Sequence, residues 1–160
     1  MEKEEIIFEL LKFDSSIIEL GESVFDDRFE KLENQVDYKL PETFKSLLKQ
    51  YNRISLFGGT INGLDVNFRD ASLDKLYHIE HFEVGNPMPL EFFPFSPDGA
   101  GNHYCFDLST GEDKVYFWQH DVEYENKTDV ELCNNSFYEW IQEVLIDWTL
   151  EDYNYDGSEK

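Results

Sequence analysis

The chain has 160 residues, enough for one domain with a real core, since domains commonly hold on the order of 100–200. Its 35 Asp and Glu against 13 Lys and Arg give a formal net charge of −22, a field that repels nucleic acid and anionic lipid headgroups and draws in basic proteins. The 14 Phe, 9 Tyr and 3 Trp supply packing area that a disordered acidic chain lacks, so a folded body is expected.

Glu4 to Phe13 reads as a short helix, with Ile6, Ile7, Leu10 and Leu11 apolar and charges between them. Residues 1–24 are expected to form a helical extension packed on a domain at 25–150, although 14–22 shows no clear period. Phe25 to Val36 is again helical, since Phe25, Phe29, Leu32 and Val36 recur three or four apart. Leu40-Pro41-Glu42 opens a third helix, where a missing proline N–H costs nothing, and Phe44, Leu47, Leu48 and Tyr51 line one side of it. Gly58-Gly59 turns between short strands at 54–57 and 60–64. The stretch 65–91 is hardest to read: Ser72 caps a helix over 73–82, and Gly85-Asn86-Pro87 ends it.

From Phe92 the period becomes strand-like. Strands are expected at 92–95, 104–108 and 114–120, separated by the turn chemistry of Asp98-Gly99-Ala100-Gly101 and Ser109-Thr110-Gly111. In the last of these, Val115, Phe117 and Gln119 share one face and Tyr116, Trp118 and His120 the other. Bulk on both faces calls for helices against the sheet. A closing helix over 136–149 turns Phe137, Trp140, Ile141, Val144, Leu145 and Trp148 inward, and 151–160 is expected to be a frayed acidic tail.

Motifs for chemistry are weak. His78 and His81 flank Glu80 at i, i+3, not the i, i+4 spacing of helical zinc proteases, and are expected at the polar edges of an amphipathic helix. Alternation puts His103 and Cys105 on one strand face without a third orienting group, so a Cys–His dyad is disfavoured. Gly99-Ala100-Gly101 lacks the Lys-Ser/Thr ending of a phosphate loop. The acids Asp121, Glu123, Glu125, Asp129 and Glu131 miss the calcium-loop spacing. No catalytic residue, metal site or cofactor is expected. Met1-Glu2-Lys3-Glu4-Glu5 lacks the basic start of a secretion signal, and no run approaches the roughly 20 apolar residues of a membrane span, so a cytoplasmic protein is expected.

Leu40-Pro41-Glu42-Thr43-Phe44-Lys45-Ser46-Leu47-Leu48 with Tyr51-Asn52 and Gly58-Gly59 resembles the opening signature of the SUKH superfamily, also called the yeast cell-wall-synthesis-regulator family. Phe93-Pro94-Phe95-Ser96, Asp98-Gly99-Ala100-Gly101-Asn102, Tyr104-Cys105-Phe106-Asp107 and Val115 to Asp121 resemble its central block, and the aromatic helix from Phe137 fits its close. The resemblance implies an α+β fold with helices packed around a mostly antiparallel sheet. It also implies a non-enzymatic protein binder, either an immunity protein that neutralises a bacterial polymorphic toxin, such as a nuclease, or a regulatory or scaffolding module. It carries no catalytic residues. The expected partner is a basic toxin domain, met by Asp121, Glu123, Glu125, Asp129 and Glu131, with Trp118 as an aromatic anchor if exposed; the chain itself is expected to be a monomer or weak homodimer.

Overall fold

Helix formation follows the apolar periods closely in the first third of the chain. A computed structural model describes residues 1–64 and 72–160. Helix α1 (Lys3–Leu10) buries Ile6 and Leu10, while the Glu5 carboxylate reaches back to the Glu2 N–H at 2.9 Å and satisfies an otherwise unpaired first-turn donor. Strand β1 (Ile18–Leu20) then leads to α2 (Asp26–Val36), which buries Phe29, Leu32 and Val36 and carries Asp26 and Asp27 where the helix dipole is positive. It stops at Asp37, whose φ of 64° is left-handed. Pro41 sits just ahead of α3 (Glu42–Gln50), whose Phe44, Leu47 and Leu48 are fully buried.

Two antiparallel sheets follow. The smaller has the order β1-β2-β3, with β2 at Ile54–Leu56 and β3 at Gly59–Ile61. The larger has the order β4-β5-β6-β7: β4 (Phe92–Pro97), β5 (His103–Asp107), β6 (Val115–Trp118) and β7 (Glu131–Asn134). The Asn62 N–H donates to the Phe95 carbonyl at 2.9 Å and ties the end of β3 to β4. The architecture is α+β. The part of the poorly legible 65–91 stretch at 65–71 lies outside the described residues. Beyond it, α4 (Leu73–His78) runs into a π-helical turn at Ile79–Glu83.

Cross-strand register explains why the larger sheet needs cover on both faces. Phe106 pairs with Phe93 and Val115, while Cys105 pairs with Pro94 and Tyr116. Phe93, Phe95, Phe106 and Val115 therefore face the main core with α3 and the closing helix, and Phe92, Cys105 and Trp118 face a smaller cluster with Met88 and Val130. Phe44 is the hub of the main core: its ring meets those of Phe93, Phe95, Phe106 and Phe137 edge-on at 5.2–6.0 Å, the geometry that aligns ring edges with π faces.

The closing helix departs from the expected period. It runs as α5 (Phe137–Trp140), a π-helical stretch (Ile141–Asp147) and α6 (Trp148–Asp152). A π stretch hydrogen-bonds residues five apart and so turns more slowly than an α-helix, and Trp140, Ile141, Leu145 and Ile146 are all buried along it. Val144, expected inward at a period of 3.6, is half-buried and packs against the main core, whereas Trp148, expected inward with it, is 48% exposed.

Both termini also correct the expectation. Residues 1–24 are not only helical, since β1 pairs with β2 through Ile18 opposite Leu56. The tail does not fray. Tyr153 bridges to Glu159, the Asp14 N–H donates to the Tyr155 carbonyl at 2.9 Å, and the Tyr155 ring lies 4.9 Å from Phe13.

Candidate functional site

The segment between β6 and β7 carries Asp121, Glu123, Glu125 and Asp129, with Glu131 opening β7, and its own apolar and polar residues hold it in place. Val130 is buried, and the Tyr124 ring packs 4.7 Å from Trp118 while its hydroxyl accepts the Gln119 N–H. Asn86 donates its side-chain amide to the carbonyls of His120 and Val122, at 3.1 and 2.8 Å. A 3-10 turn at Lys127–Asp129 is closed by the Asp129 carboxylate, which accepts the Asn126 N–H. Lys127, the one base in the segment, points back to Asp107 at 3.2 Å and Glu91 at 3.4 Å; these carboxylates lift it above the ordinary lysine value, although burial alone would lower it.

Asp121, Glu123, Glu125, Asp129 and Glu131 are all exposed, and none forms an ion pair among the described residues. The first four carry their charge into solvent on the anchored loop, and Glu131 does so from the first position of β7. Trp118 does not join them. It is 3% exposed, pressed edge-on against Phe92 and covered by Tyr124, because alternation on β6 turns it to the smaller cluster. It supports the loop from beneath and is corrected from contact residue to floor.

The histidines and cysteines assemble no reactive site. His103 Nε2 lies 3.1 Å from Glu80, whereas the Cys105 thiol donates to the His103 carbonyl at 3.6 Å and lies 3.9 Å from Met88 Sδ. Burial pushes that thiol well above the ordinary cysteine value, which disfavours the thiolate a nucleophile requires. His81 is not at a helix edge. It is buried, stacked 3.9 Å from Tyr77, with Nδ1 2.7 Å from the Tyr77 carbonyl and Nε2 3.0 Å from that of Pro89. The π turn at Ile79–Glu83 rotates it inward while His78 stays exposed. Asp98 closes the Gly99–Gly101 turn by accepting the Asn102 side-chain amide at 2.9 Å, the Ala100 N–H at 2.8 Å and the Asn102 N–H at 3.0 Å; partial burial would raise its carboxyl, but these bonds, the Asn102 amide foremost, hold it below the ordinary value. Among the described residues no group of three or more His, Cys, Asp or Glu is arranged to hold a metal ion, and no helix is long and apolar enough to cross a membrane.

A second feature adjoins the loop and escaped the sequence reading. Between β7 and the closing helix lies a cleft of about 320 Å³, walled by Tyr104, Phe117, Glu131 and Leu132 on the sheet and Glu143, Val144 and Trp148 on the helix. Asn134 donates to the Glu143 carboxylate at 2.7 Å and fixes the two walls together. Trp148 follows the π stretch directly and faces this cleft.

A family model described as SMI1-KNR4 cell-wall matches residues 26–141. The chain belongs to the SMI1-KNR4 family. The match contains the acidic loop and the signature helix α3, and it ends at the first residue of the π stretch, so Glu143 and Trp148 lie beyond the SMI1-KNR4 region. A crystal structure of a protein from Pseudomonas syringae pv. tomato is similar with a TM-score of 0.66 at 18% identity, over 90% of this chain and 98% of that one. That likeness is one of fold, and it takes in a larger share of the chain than the SMI1-KNR4 match does. No curated protein matches the chain.

Proposed function

We propose that this SMI1-KNR4 member is an immunity protein, which binds a basic bacterial toxin domain through the acidic β6–β7 segment and blocks it. The observation that carries the reading is the anchored loop on which Asp121, Glu123, Glu125 and Asp129 stand in solvent, with Glu131 at the start of β7 beside them, none with a cationic partner among the described residues. Holding such charges close together costs self-repulsion, and a cationic partner relieves that cost. A nuclease toxin needs a basic cleft to hold phosphates, and a fixed row of carboxylates occupies such a cleft as a substitute for nucleic acid. Catalysis is not part of the reading.

Co-expression with the product of the adjacent gene tests the proposal through rescue of growth and co-purification. Reversing Asp121, Glu123 and Glu125 to Lys should then slow association roughly tenfold or more at low salt and flatten its salt dependence. Unchanged association kinetics would remove the loop from the interface. A regulatory or scaffolding module without a toxin is the second reading, favoured by the family's description, which names the cell wall. A neighbouring gene encoding a large secreted protein with a nuclease-like end decides for the first reading; its absence, with loss of the gene altering cell-wall integrity, decides for the second.

A further inference from the structure

We propose that the cleft between β7 and the closing helix seats one bulky apolar side chain of a partner protein, flanked in the partner's chain by lysine or arginine. This rests on the protein-binding reading above and names a second contact beside the acidic loop.

Apolar surface supplies the first argument. Leu132 and Trp148 are 47% and 48% exposed, with half-buried Phe117 and Tyr104 behind them. A volume of about 320 Å³ suits a large side chain or two, at the low end of ligand-pocket sizes. Aromatic surface left open beside a rigid wall is the composition that anchors interfaces.

Charge selects the occupant. Glu131 and Glu143 form the rim, and residues 128–159 contain nine Asp and Glu and no Lys or Arg. Burial first, and then Glu131 and Glu143, push Cys133 in the same wall up to about 11. A second copy of the chain is a poor occupant, since it brings its own charge of −22 and would set carboxylate rims together. Edge pairing of β7 with another strand is also limited, because the strand is only four residues long and a bulge at Cys133, between its pairing with Tyr116 and with Val115, interrupts the ladder. A side-chain anchor with flanking cations uses what remains.

The test uses the full chain labelled with ¹⁵N and two capped peptides, Lys-Lys-Trp-Lys-Lys and Lys-Lys-Gly-Lys-Lys. The tryptophan peptide should bind at least tenfold more tightly than the glycine one and shift the Trp148 indole and the amides of β7. Leu132→Ser and Trp148→Ser, each checked for unchanged thermal unfolding, should remove that tenfold preference. Equal binding of the two peptides, shifts centred on residues 121–125, preference retained in both variants, or dimerisation of the unbound chain through β7 would each overturn the proposal. Should a toxin bind the wild type and both variants equally, the cleft is excluded while the protein-binding reading stands; should the peptide preference hold but no protein partner bind, the reverse applies.

Discussion

Glu33 is the buried charge on which the junction of α2 and α3 depends, and its removal separates two contributions that usually act together. The residue is 5% exposed. Its carboxylate accepts the Leu40 N–H at 2.8 Å and meets Lys45 at 3.1 Å, with Lys39 farther off at 3.9 Å and largely in solvent. In Glu33→Ala the Leu40 N–H loses its acceptor in a buried setting, a cost of about 1–3 kcal/mol. One buried methylene is lost as well, worth about 0.8 kcal/mol. Lys45 keeps Glu42 at 2.9 Å, so the ion-pair loss stays below the roughly 3–5 kcal/mol of a fully orphaned buried charge. The total is about 3 kcal/mol. Glu33→Gln retains an acceptor for Leu40 and loses only the charge, so it should cost about 1 kcal/mol. Urea unfolding of both variants measures the difference, and at about 2–4 °C per kcal/mol for a domain of this size, Glu33→Ala should melt roughly 6–12 °C lower. Equal costs for the two variants would refute the assignment, because the charge and not the backbone acceptor would then dominate.

Phe44→Ala removes the ring shared by Phe93, Phe95, Phe106 and Phe137, and should cost about 3–5 kcal/mol in the same assay, while Phe44→Leu costs distinctly less. Gly101→Ala should cost about 1–2 kcal/mol, because φ there is 91° and a Cβ would lie 3.0 Å from the His120 ring; Gly99→Ala, with open space around it, carries only the strain of its φ. Burial holds Tyr77, Tyr104 and Tyr138 up at about 12 in the fold. Unfolded tyrosine ionises near 10, so the stabilisation is whole below about pH 10 and lost as pH rises toward 12. Urea midpoints at pH 9 and pH 11.5 should show that fall. Cys133, held up at about 11, should alkylate slowly with iodoacetamide at pH 7.5 and faster as pH rises, whereas buried Cys105 should react only on unfolding.

Legibility in the sequence followed the strength of local periods. Helices α2 and α3 are plain because Phe29, Leu32 and Val36, and Phe44, Leu47 and Leu48, repeat at helical spacing with charges between, whereas Phe25, on the same period, precedes α2 and is 83% exposed. The two faces of β6 were plain because Val115 and Trp118 lie on opposite sides of a short strand, as alternation requires. Alternation does not say which face meets solvent, and so Trp118 was read as a possible anchor although Met88 and Val130 arrive from distant segments to cover it. Nor does a sequence announce a π stretch. Ile141 and Ile146 fit a five-residue spacing only in hindsight, and Trp148, which follows the stretch directly, faces the cleft. Strand β1 and the returning tail are set by partners far along the chain, Leu56 for Ile18 and Asp14 for Tyr155, which no local pattern encodes.

A division of labour follows from where charges and rings sit. The core is built almost wholly from aromatic and aliphatic side chains, with Glu33 the one acid deep in the main core's helices and a lysine assigned to it. Asp107 is the other buried acid among the described residues and is met by Lys127, while most of the other described carboxylates stand at the surface, where at physiological salt a Debye length of about 8 Å screens distant charges from one another. The acidic segment holds its carboxylates in solvent, and Val130, Tyr124 and the Asn86 amide anchor the loop that carries them. On the reading proposed above, a cationic partner meets carboxylates already in place and is drawn in by the chain's net charge of −22. Binding should therefore raise the melting temperature by more at low salt than at high salt, since dissolved ions screen that attraction.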